Sequence, residues 1–162
     1  MNKRDGFGHE KPHEGETNDW ITPKPIIDAF NSLYGGRMFF ALDPASSLTQ
    51  PWPTSERAYT VQHDGLAQNW QGRVWLNPPY GPHTSKWVRR LAEHGNGIAL
   101  IFARTETELW QDYIFPTADG FLFAKRRIAF ARPDGSIGSQ TAGAPSAFIA
   151  WGRENKEALM QL

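Results

Sequence analysis

The chain has 162 residues, 17 basic and 17 acidic side chains, 40% hydrophobic residues and 13% aromatic residues. This length can bury one core but not two, so we expect a polar, flexible segment over residues 1–18 and a single folded domain over residues 19–162. No apolar run is long enough to cross a bilayer and the first residues are polar, which predicts a cytoplasmic protein without a membrane partner. Because the charges cancel, any nucleic-acid surface must be a local patch.

The lack of cysteine excludes several kinds of chemistry. Methylation of cytosine at ring carbon 5 needs a thiolate nucleophile, and base deaminases hold zinc through cysteines. Disulfide frameworks and cysteine-based zinc modules are excluded for the same reason. His9 and His13 are four residues apart, but their segment has no apolar periodicity and is typical of a solvated tail. We therefore predict no metal site.

The first predicted element is a helix. Thr22 and Pro23 form an N-cap and first-turn pair, apolar residues follow at helical spacing, and Gly35 ends the pattern. An apolar strand is predicted over residues 38–42, and it leads into a turn that begins at Asp43.

The middle of the chain predicts a short strand, a second full strand and a second helix. Turn-forming residues dominate after Asp43, and only residues 58–61 could form a strand, so we expect this part of the sheet to be abbreviated. Residues 73–76 form the next predicted strand. Thr84 or Ser85 then caps a helix that Gly95 closes.

The last third of the chain predicts mainly strands. Residues 97–103 are continuously apolar, as in a strand that is covered on both faces. A capping box at residues 105–108 opens a helix. Three more strands are predicted over residues 121–123, 127–131 and 147–151. The alternation of strands and helices predicts an α/β fold with a mostly parallel, doubly wound sheet and a β-hairpin at its C-terminal edge.

The motif Asn77-Pro78-Pro79-Tyr80 directly follows the strand predicted over residues 73–76. Two prolines fix the backbone and donate no hydrogen bond, so we expect the carbonyls near Asn77 and Pro78 to stay unpaired. The Asn77 side-chain oxygen is a second acceptor and Tyr80 offers an aromatic face, which together suit an aromatic amine. The alternative is a proline-rich β-turn with Tyr80 in the core.

With this motif the chain resembles the amino-methyltransferases that use S-adenosylmethionine, and most of all the phage-encoded DNA N6-adenine methyltransferase (Dam-like) family. The resemblance extends from about Trp20 to Gly152. It rests on four motifs in the family's order: Thr22-Pro23, Asp43-Pro44-Ala45, Asp64 and Asn77-Pro78-Pro79-Tyr80. It implies a Rossmann-like methyltransferase fold and methylation of adenine in DNA, for phage or prophage DNA modification in a bacterial host.

The resemblance also implies a set of cofactor-binding residues. Thr22 and the helix behind it would hold the methionine carboxylate, Asp43 would lie near the sulfonium, and Asp64 would accept from the adenine amine of S-adenosylmethionine. The full set is Trp20, Thr22, Pro23, Asp43, Pro44, Ala45 and Asp64. Taken alone, these residues are equally typical of a helix cap and of turns. The chain lacks the family's usual Gly-x-Gly loop, and only Glu56 lies near the place of a ribose-binding acid.

In the catalytic step that the resemblance implies, Asn77 and the Pro78 carbonyl accept the two hydrogens of the adenine amine. The nitrogen then becomes more tetrahedral and its lone pair is freed toward the methyl group. Pro79 holds the turn, and Tyr80 stacks on the adenine after it is rotated out of the duplex.

Further residues are candidates for contact with the target base or with DNA. Phe130 would form a second wall for the base, although a core position explains it as well. Arg104 and Arg127 could bind phosphates, although exposed charges usually only face solvent. His83 and Lys86 lie in a loop over residues 81–86 that, with the loop over residues 134–145, is a candidate reader of sequence.

Several alternatives stay open from the sequence. The same motif serves enzymes that methylate RNA adenine or a protein glutamine amide, and the cytosine N4 amine is a related target. A relative that binds nucleic acid without catalysis is a further possibility, since the glycine loop is missing. The protein could be a monomer or a weak dimer.

Overall fold

The computed structural model describes residues 20–138 and 142–162. The polar segment predicted over residues 1–18, with His9 and His13, lies outside the described residues. The division into a flexible segment and one domain therefore stays a prediction.

Four α-helices and two irregular helical segments occur in the described ranges. The helices are α1 (Lys24–Leu33), α2 (Thr84–His94), the short α3 (Phe115–Thr117) and α4 (Arg153–Leu159). A 3₁₀ turn covers Val61–His63, and a π-helical segment over Leu109–Ile114 runs directly into α3. Gly35 follows the end of α1 with φ +66°, and Gly95 ends α2 with φ +72°. Both predicted helix ends are confirmed, because glycine adopts this left-handed geometry without a steric penalty.

Six strands of the described chain form one mixed sheet. They are β1 (Leu42–Asp43), β2 (Arg57–Ala58), β3 (Val74–Leu76), β4 (Gly97–Phe102), β5 (Gly120–Phe123) and β6 (Ser146–Trp151). Their order is β2-β1-β3-β4-β6-β5. The first four are parallel, and β6 is antiparallel to both of its neighbours. The predicted α/β class is confirmed, while two of the five strand pairings are antiparallel.

Helices cover both faces of this sheet because side chains alternate along each strand. In β4, Ile98 and Leu100 point into a core with α1 and α4. Their neighbours Ala99 and Ile101 point into a second core with α2 and the π-helical segment. The central strands are thus buried on both sides, which fixes their carboxyl ends, where the polar turns lie.

The three predicted helix caps are wrong. Helix α1 begins at Lys24 with Pro23 as its N-cap, and α2 begins with His83 as its N-cap; neither has a side-chain cap. The box over residues 105–108 gives no side-chain cap to the π-helical segment. The hydroxyls bond elsewhere: Thr84 accepts from the Gly81 amide and donates to the Pro79 carbonyl.

The strand predicted over residues 127–131 is also wrong. Only Ala131 forms isolated bridges, to Ile21 and Ile137. Strand β6 pairs with both β4 and β5, so this segment has no strand partner in the sheet. Its alternating apolar residues Ile128 and Phe130 instead pack into the core beside α1 from a loop.

The abbreviated region is shorter still than the sequence indicates. Of the strand predicted over residues 38–42 only Leu42 lies in β1, and of the one predicted over residues 58–61 only Ala58 lies in β2. Residues 61–63 form the 3₁₀ turn instead.

Candidate active site

A cleft of about 430 Å³ opens at the carboxyl ends of β1 and β3. Five parts of the chain meet there: residues 20–21, the loop after β1, the 3₁₀ segment with the turns on either side of it, the turn after β3, and helix α2. Its lining residues are Trp20, Ile21, Pro44, Ala45, Ser46, Ser47, Leu48, Gln50, Thr60, Val61, Asp64, Gly65, Asn77, Pro78, Pro79 and Trp87. Ligands of open α/β sheets bind at this edge.

The side-chain amide of Asn77 is held in one orientation. Its nitrogen donates to the backbone carbonyl of Trp20 and to the Thr22 hydroxyl, 3.2 Å away. A carbonyl oxygen can only accept, so the Asn77 atom beside Trp20 must be the nitrogen. The oxygen of the amide therefore faces the other way, where the Tyr80 hydroxyl lies 3.5 Å from it. Such a long contact leaves this oxygen available as an acceptor.

The two prolines differ in their carbonyls. The Pro79 carbonyl accepts a hydrogen bond of 2.8 Å from the Thr84 hydroxyl. Within residues 20–138 and 142–162, no donor bonds to the Pro78 carbonyl. Pro78 is buried, Pro79 is exposed, and both line the cleft. The turn thus leaves two acceptors free, the Pro78 carbonyl and the Asn77 oxygen.

Tyr80 packs beside the cleft and does not line it. Its ring stacks on Phe102 with 4.2 Å between centroids, and its hydroxyl donates to the Leu100 carbonyl at 3.3 Å. Burial raises the pKa of Tyr80 above its ordinary value. One face of the ring is therefore covered. Trp20 meets Tyr80 edge-on, and unlike Tyr80 it lines the cleft and is 40% exposed.

Asp43 is enclosed behind the turn that it begins. It is 3% exposed, its Oδ1 accepts from the Ala45 amide at 3.1 Å and its Oδ2 from the Thr54 hydroxyl at 2.5 Å. Burial raises the pKa of this carboxyl to about 6, and the two hydrogen bonds oppose the rise. Asp43 does not line the cleft, whereas Pro44 and Ala45 do.

Asp64 is exposed and lines the cleft with a left-handed backbone, φ +50°. The next residue, Gly65, lies against the turn after β1. A Cβ atom on Gly65 would be 1.9 Å from the Pro44 carbonyl oxygen, so only glycine permits this approach. The close contact fixes the turn of Asp64 against the turn of Asp43.

Thr22 and Pro23 are buried and lie outside the lining of the cleft. The Thr22 hydroxyl, which is predicted to face a carboxylate of the cofactor, instead contacts Asn77 and the indole nitrogen of Trp75. The structure thus joins two motifs that are 55 residues apart in sequence.

The candidates for contact with DNA fall into two groups. Phe130 is 6% exposed and packs 5.3 Å from Trp20, in the core and not on the wall of the cleft. Arg104, Arg127, His83 and Lys86 are exposed, and none forms an ion pair with a described acidic side chain. Arg104 follows β4 and lies 5.9 Å from the Phe102 ring. Residues 139–141 of the predicted reader loop lie outside the described ranges.

Nine of the sixteen lining residues are not among the site residues predicted from sequence, and two of these, Gln50 and Trp87, have side chains of particular interest. The side-chain nitrogen of Gln50 is buried without a hydrogen-bond partner among the described residues, although Gln50 lines the cleft. A buried amide nitrogen without an acceptor is costly, so it suits a bound group that supplies an oxygen. Trp87 packs beside the core that α2 forms with the sheet and also lines the cleft. Neither residue belongs to a motif that would have marked it.

Metal and membrane features are not observed in the part of the chain that the structure describes. No group of three His, Asp or Glu residues there could hold a metal ion. No described helix is both long and apolar enough to span a bilayer.

The sheet and the cleft define a mixed α/β protein that presents two hydrogen-bond acceptors from a turn after a buried strand. The sequence model of the DNA N-6-adenine-methyltransferase (Dam) family matches residues 10–161, and the chain belongs to this family. The resemblance seen in the sequence is confirmed. No curated protein and no solved structure matches the chain.

Proposed function

We propose that this protein transfers a methyl group from S-adenosylmethionine to the exocyclic N6 amine of adenine in DNA. Family membership gives the reaction class. The observation that supports the mechanism most strongly is the fixed Asn77 amide, whose oxygen is directed away from Trp20 and Thr22. We place the activity in the modification of phage or prophage DNA, as the resemblance implies.

The cleft fits S-adenosylmethionine in size and in polarity. Its volume of about 430 Å³ lies in the range of small-molecule sites, which is roughly 300–1,000 Å³. Asp64 offers an exposed carboxylate for the adenine amine of the cofactor, and the unpaired nitrogen of Gln50 offers a donor for an oxygen. When bound, the cofactor supplies an electrophilic methyl group on a positively charged sulfur.

Asp43, Pro44 and Ala45 form a single turn at the side of the cleft. Pro44 and Ala45 line the cleft, and the Asp43 carboxyl behind them holds the Ala45 amide. We therefore assign Asp43 the role of shaping the cofactor wall. Thr22 and Pro23 support the neighbouring segment that carries Trp20.

Asn77 and Pro78 activate the target amine. The lone pair of an adenine amine is delocalised into the ring, which makes the nitrogen a poor nucleophile. Hydrogen bonds from its two hydrogens to the Asn77 oxygen and to the Pro78 carbonyl favour the tetrahedral geometry of the transition state. Both acceptors are in place before the base arrives, so they cost little reorganisation.

The proton that leaves the amine after transfer goes to water. Asn77 has no basic group, and both oxygens of the Asp43 carboxyl are engaged inside the turn. No general base is needed before transfer, because the lone pair is freed by hydrogen bonding alone.

Aromatic and basic residues beside the turn would receive the target base and the DNA. Tyr80, whose ring is stacked on Phe102 and met edge-on by Trp20, would contact the extruded adenine beside the turn. Phe130 supports this wall through Trp20. The exposed residues Arg104, Arg127, His83 and Lys86 supply positive or polar contacts along the surface.

Replacement of Asn77 with Ala tests the mechanism. The loss of one preorganised acceptor typically costs ~10²–10³ in rate, with much smaller effects on ground-state binding. We expect Asn77→Ala to keep S-adenosylmethionine and DNA binding within a few-fold but nearly to abolish transfer of labelled methyl to adenine. The measurements are calorimetric binding and incorporation of label into DNA, followed by nucleoside analysis.

The matched control is Asn69→Ala. Asn69 is exposed and lies outside the lining of the cleft, so this variant should methylate at the wild-type rate. Full activity of Asn77→Ala would refute the mechanism, and label on cytosine, RNA or a protein amide would refute the substrate. A wild-type protein that binds DNA but not S-adenosylmethionine would be a non-catalytic relative.

A further inference from the structure

We propose that Thr22 is a positioning residue for methyl transfer: its hydroxyl holds the Asn77 side-chain amide in the orientation that presents the oxygen to the target amine. The expected effect on rate rests on the proposed function. The geometry of the contact does not, and it can be tested without cofactor or DNA.

The Thr22 hydroxyl lies where it can accept two hydrogen bonds. Thr22 is 2% exposed, and its oxygen is 3.1 Å from the indole nitrogen of Trp75 and 3.2 Å from the amide nitrogen of Asn77. An indole N–H can only donate, so one lone pair of the hydroxyl oxygen accepts from Trp75. The second lone pair is then available to the Asn77 nitrogen.

This arrangement selects one of the two amide orientations of Asn77. If the amide were rotated by half a turn, its oxygen would face the Trp20 carbonyl, and two acceptors would oppose each other. The same rotation would take the nitrogen away from Thr22. The hydroxyl and the Trp20 carbonyl therefore select the same orientation, and each secures one hydrogen of the amide.

Thr22 itself is held in a rigid frame. Its carbonyl accepts a hydrogen bond of 3.0 Å from the Trp52 indole, and the neighbouring Ile21 carbonyl accepts one of 2.9 Å from the Ala131 amide. Trp75 is fully buried, with its ring 5.2 Å from that of Phe40. Because the Thr22 backbone and the Trp75 ring are both held in place, the Thr22 hydroxyl has a fixed position and can hold the Asn77 amide in one orientation.

The first test compares Thr22→Val, which keeps the shape and removes the hydroxyl, with Thr22→Ser, which keeps the hydroxyl. We expect Thr22→Val to lower kcat about tenfold, the size expected for one lost hydrogen bond, with KM for both substrates within about twofold. Thr22→Ser should restore kcat to within about threefold of wild type. Circular dichroism spectra of both variants confirm that they are folded.

The second test uses no ligand. In ¹⁵N spectra of the free protein, the two Asn77 side-chain amide protons should exchange slowly with solvent, because both are hydrogen-bonded. Thr22→Val should shift their signals and speed the exchange of one proton, while the Asn69 amide signals stay unchanged. Thr22→Ser should leave the Asn77 signals close to those of wild type.

The inference would be overturned by wild-type kcat in Thr22→Val, by a loss of kcat that Thr22→Ser does not restore, or by Asn77 signals unaffected by Thr22→Val. A raised KM for S-adenosylmethionine with unchanged kcat would also overturn it and would make Thr22 a cofactor contact. If wild type transfers no methyl while the Asn77 signals respond as stated, the proposed function fails and the positioning contact stands.

Discussion

The turns that follow β1 and β3 lie side by side at one edge of the sheet, yet they differ in what they leave exposed. At the first turn the Asp43 carboxyl is 3% exposed and both of its oxygens are engaged inside the turn. At the second, the Asn77 amide is half-buried, its nitrogen is engaged and its oxygen faces away from the frame. The first polar side chain is used within its own turn, and the oxygen of the second is the one that we propose meets a ligand.

The difference follows from how each turn is closed. The first turn packs directly on Gly65, and its side chain must satisfy the local backbone. The second has two prolines, which restrict its backbone, and the Thr84 hydroxyl bonds to the Pro79 carbonyl and to the Gly81 amide, so its closure does not use the Asn77 oxygen. Its polar group is therefore free for other contacts. The comparison predicts that changes at the first turn act mainly on stability and those at the second mainly on rate.

The largest effect should come from Gly65→Ala, which breaks the contact between the turn of Asp64 and the turn after β1. The new Cβ would be 1.9 Å from the Pro44 carbonyl oxygen, and a backbone atom cannot move aside as a side chain can. We expect a loss of about 3 kcal/mol of unfolding free energy, seen as a fall in Tm of roughly 10 °C, together with weaker S-adenosylmethionine binding. Thermal unfolding and calorimetric binding measure both.

Gly143→Ala is the control for that prediction. A Cβ on Gly143 meets no atom within 4 Å, and its backbone is not in the left-handed region. This variant should change Tm by no more than about 2 °C. Equal Tm values for the two alanine variants would show that the turn of Asp64 and the turn after β1 are not in close contact.

A smaller effect, dependent on pH, is expected from Asp43→Asn. The pKa of this carboxyl is raised by burial from 3.8 to about 6. Well below pH 3.8 it is protonated in the folded and in the unfolded chain. As the pH rises through 4 to 6, only the unfolded chain ionises fully, so the folded state loses stability and the whole penalty is present above pH 6. Asparagine removes that penalty.

We therefore expect Asp43→Asn to be more stable than wild type at pH 8 by about 1–3 kcal/mol, with a gap that closes by pH 4. Denaturant unfolding at both pH values measures the gap. Asp112→Asn, at an exposed carboxyl, is the control and should show no such pH dependence. A variant less stable than wild type at pH 8 would mean that the ionised carboxylate stabilises the turn.

The sequence predicts the second turn much better than the first. Asn77-Pro78-Pro79-Tyr80 is one contiguous motif with restricted backbone angles, so its unpaired acceptors follow from local chemistry. Thr22 is also visible in the sequence, but as a helix cap; its contact with Asn77 depends on tertiary packing across 55 residues. Gln50 carries no local pattern at all. The enclosure of Asp43 likewise depends on Thr54, which no spacing rule connects to it.

In the fold, too, some elements are predictable from local sequence and others depend on tertiary packing. Long apolar patterns such as that of β4 predict the element and its bounds, because burial on both faces leaves little choice. The segment at residues 127–131 has the alternation of a strand, but β6 occupies the position between β4 and β5. The order of strands in the sheet therefore excludes residues 127–131 from it, and local sequence does not encode that order.

The smallest expected effect is a change in DNA affinity, which tests which side of the cleft contacts DNA. Arg104 follows β4, the strand next to β3, and its exposed guanidinium has no described acidic partner. If the Asn77 turn faces the duplex, Arg104→Ala should weaken DNA binding a few-fold and reduce the slope of log affinity against log salt by about 0.9, the loss of one phosphate contact. Arg127→Ala should behave likewise.

Arg153→Ala is the control for these two variants. Arg153 follows β6. Because β6 is antiparallel to β4, Arg153 lies at the opposite edge of the sheet from Arg104. Its ion pair among the described residues is a 4.0 Å contact with Glu157. Its removal should leave the salt slope unchanged. Binding titrations at four or five salt concentrations with one duplex separate the two results. Equal slopes for Arg104→Ala, Arg127→Ala and wild type would place the DNA elsewhere, and a reduced slope for Arg153→Ala would place it at the far edge.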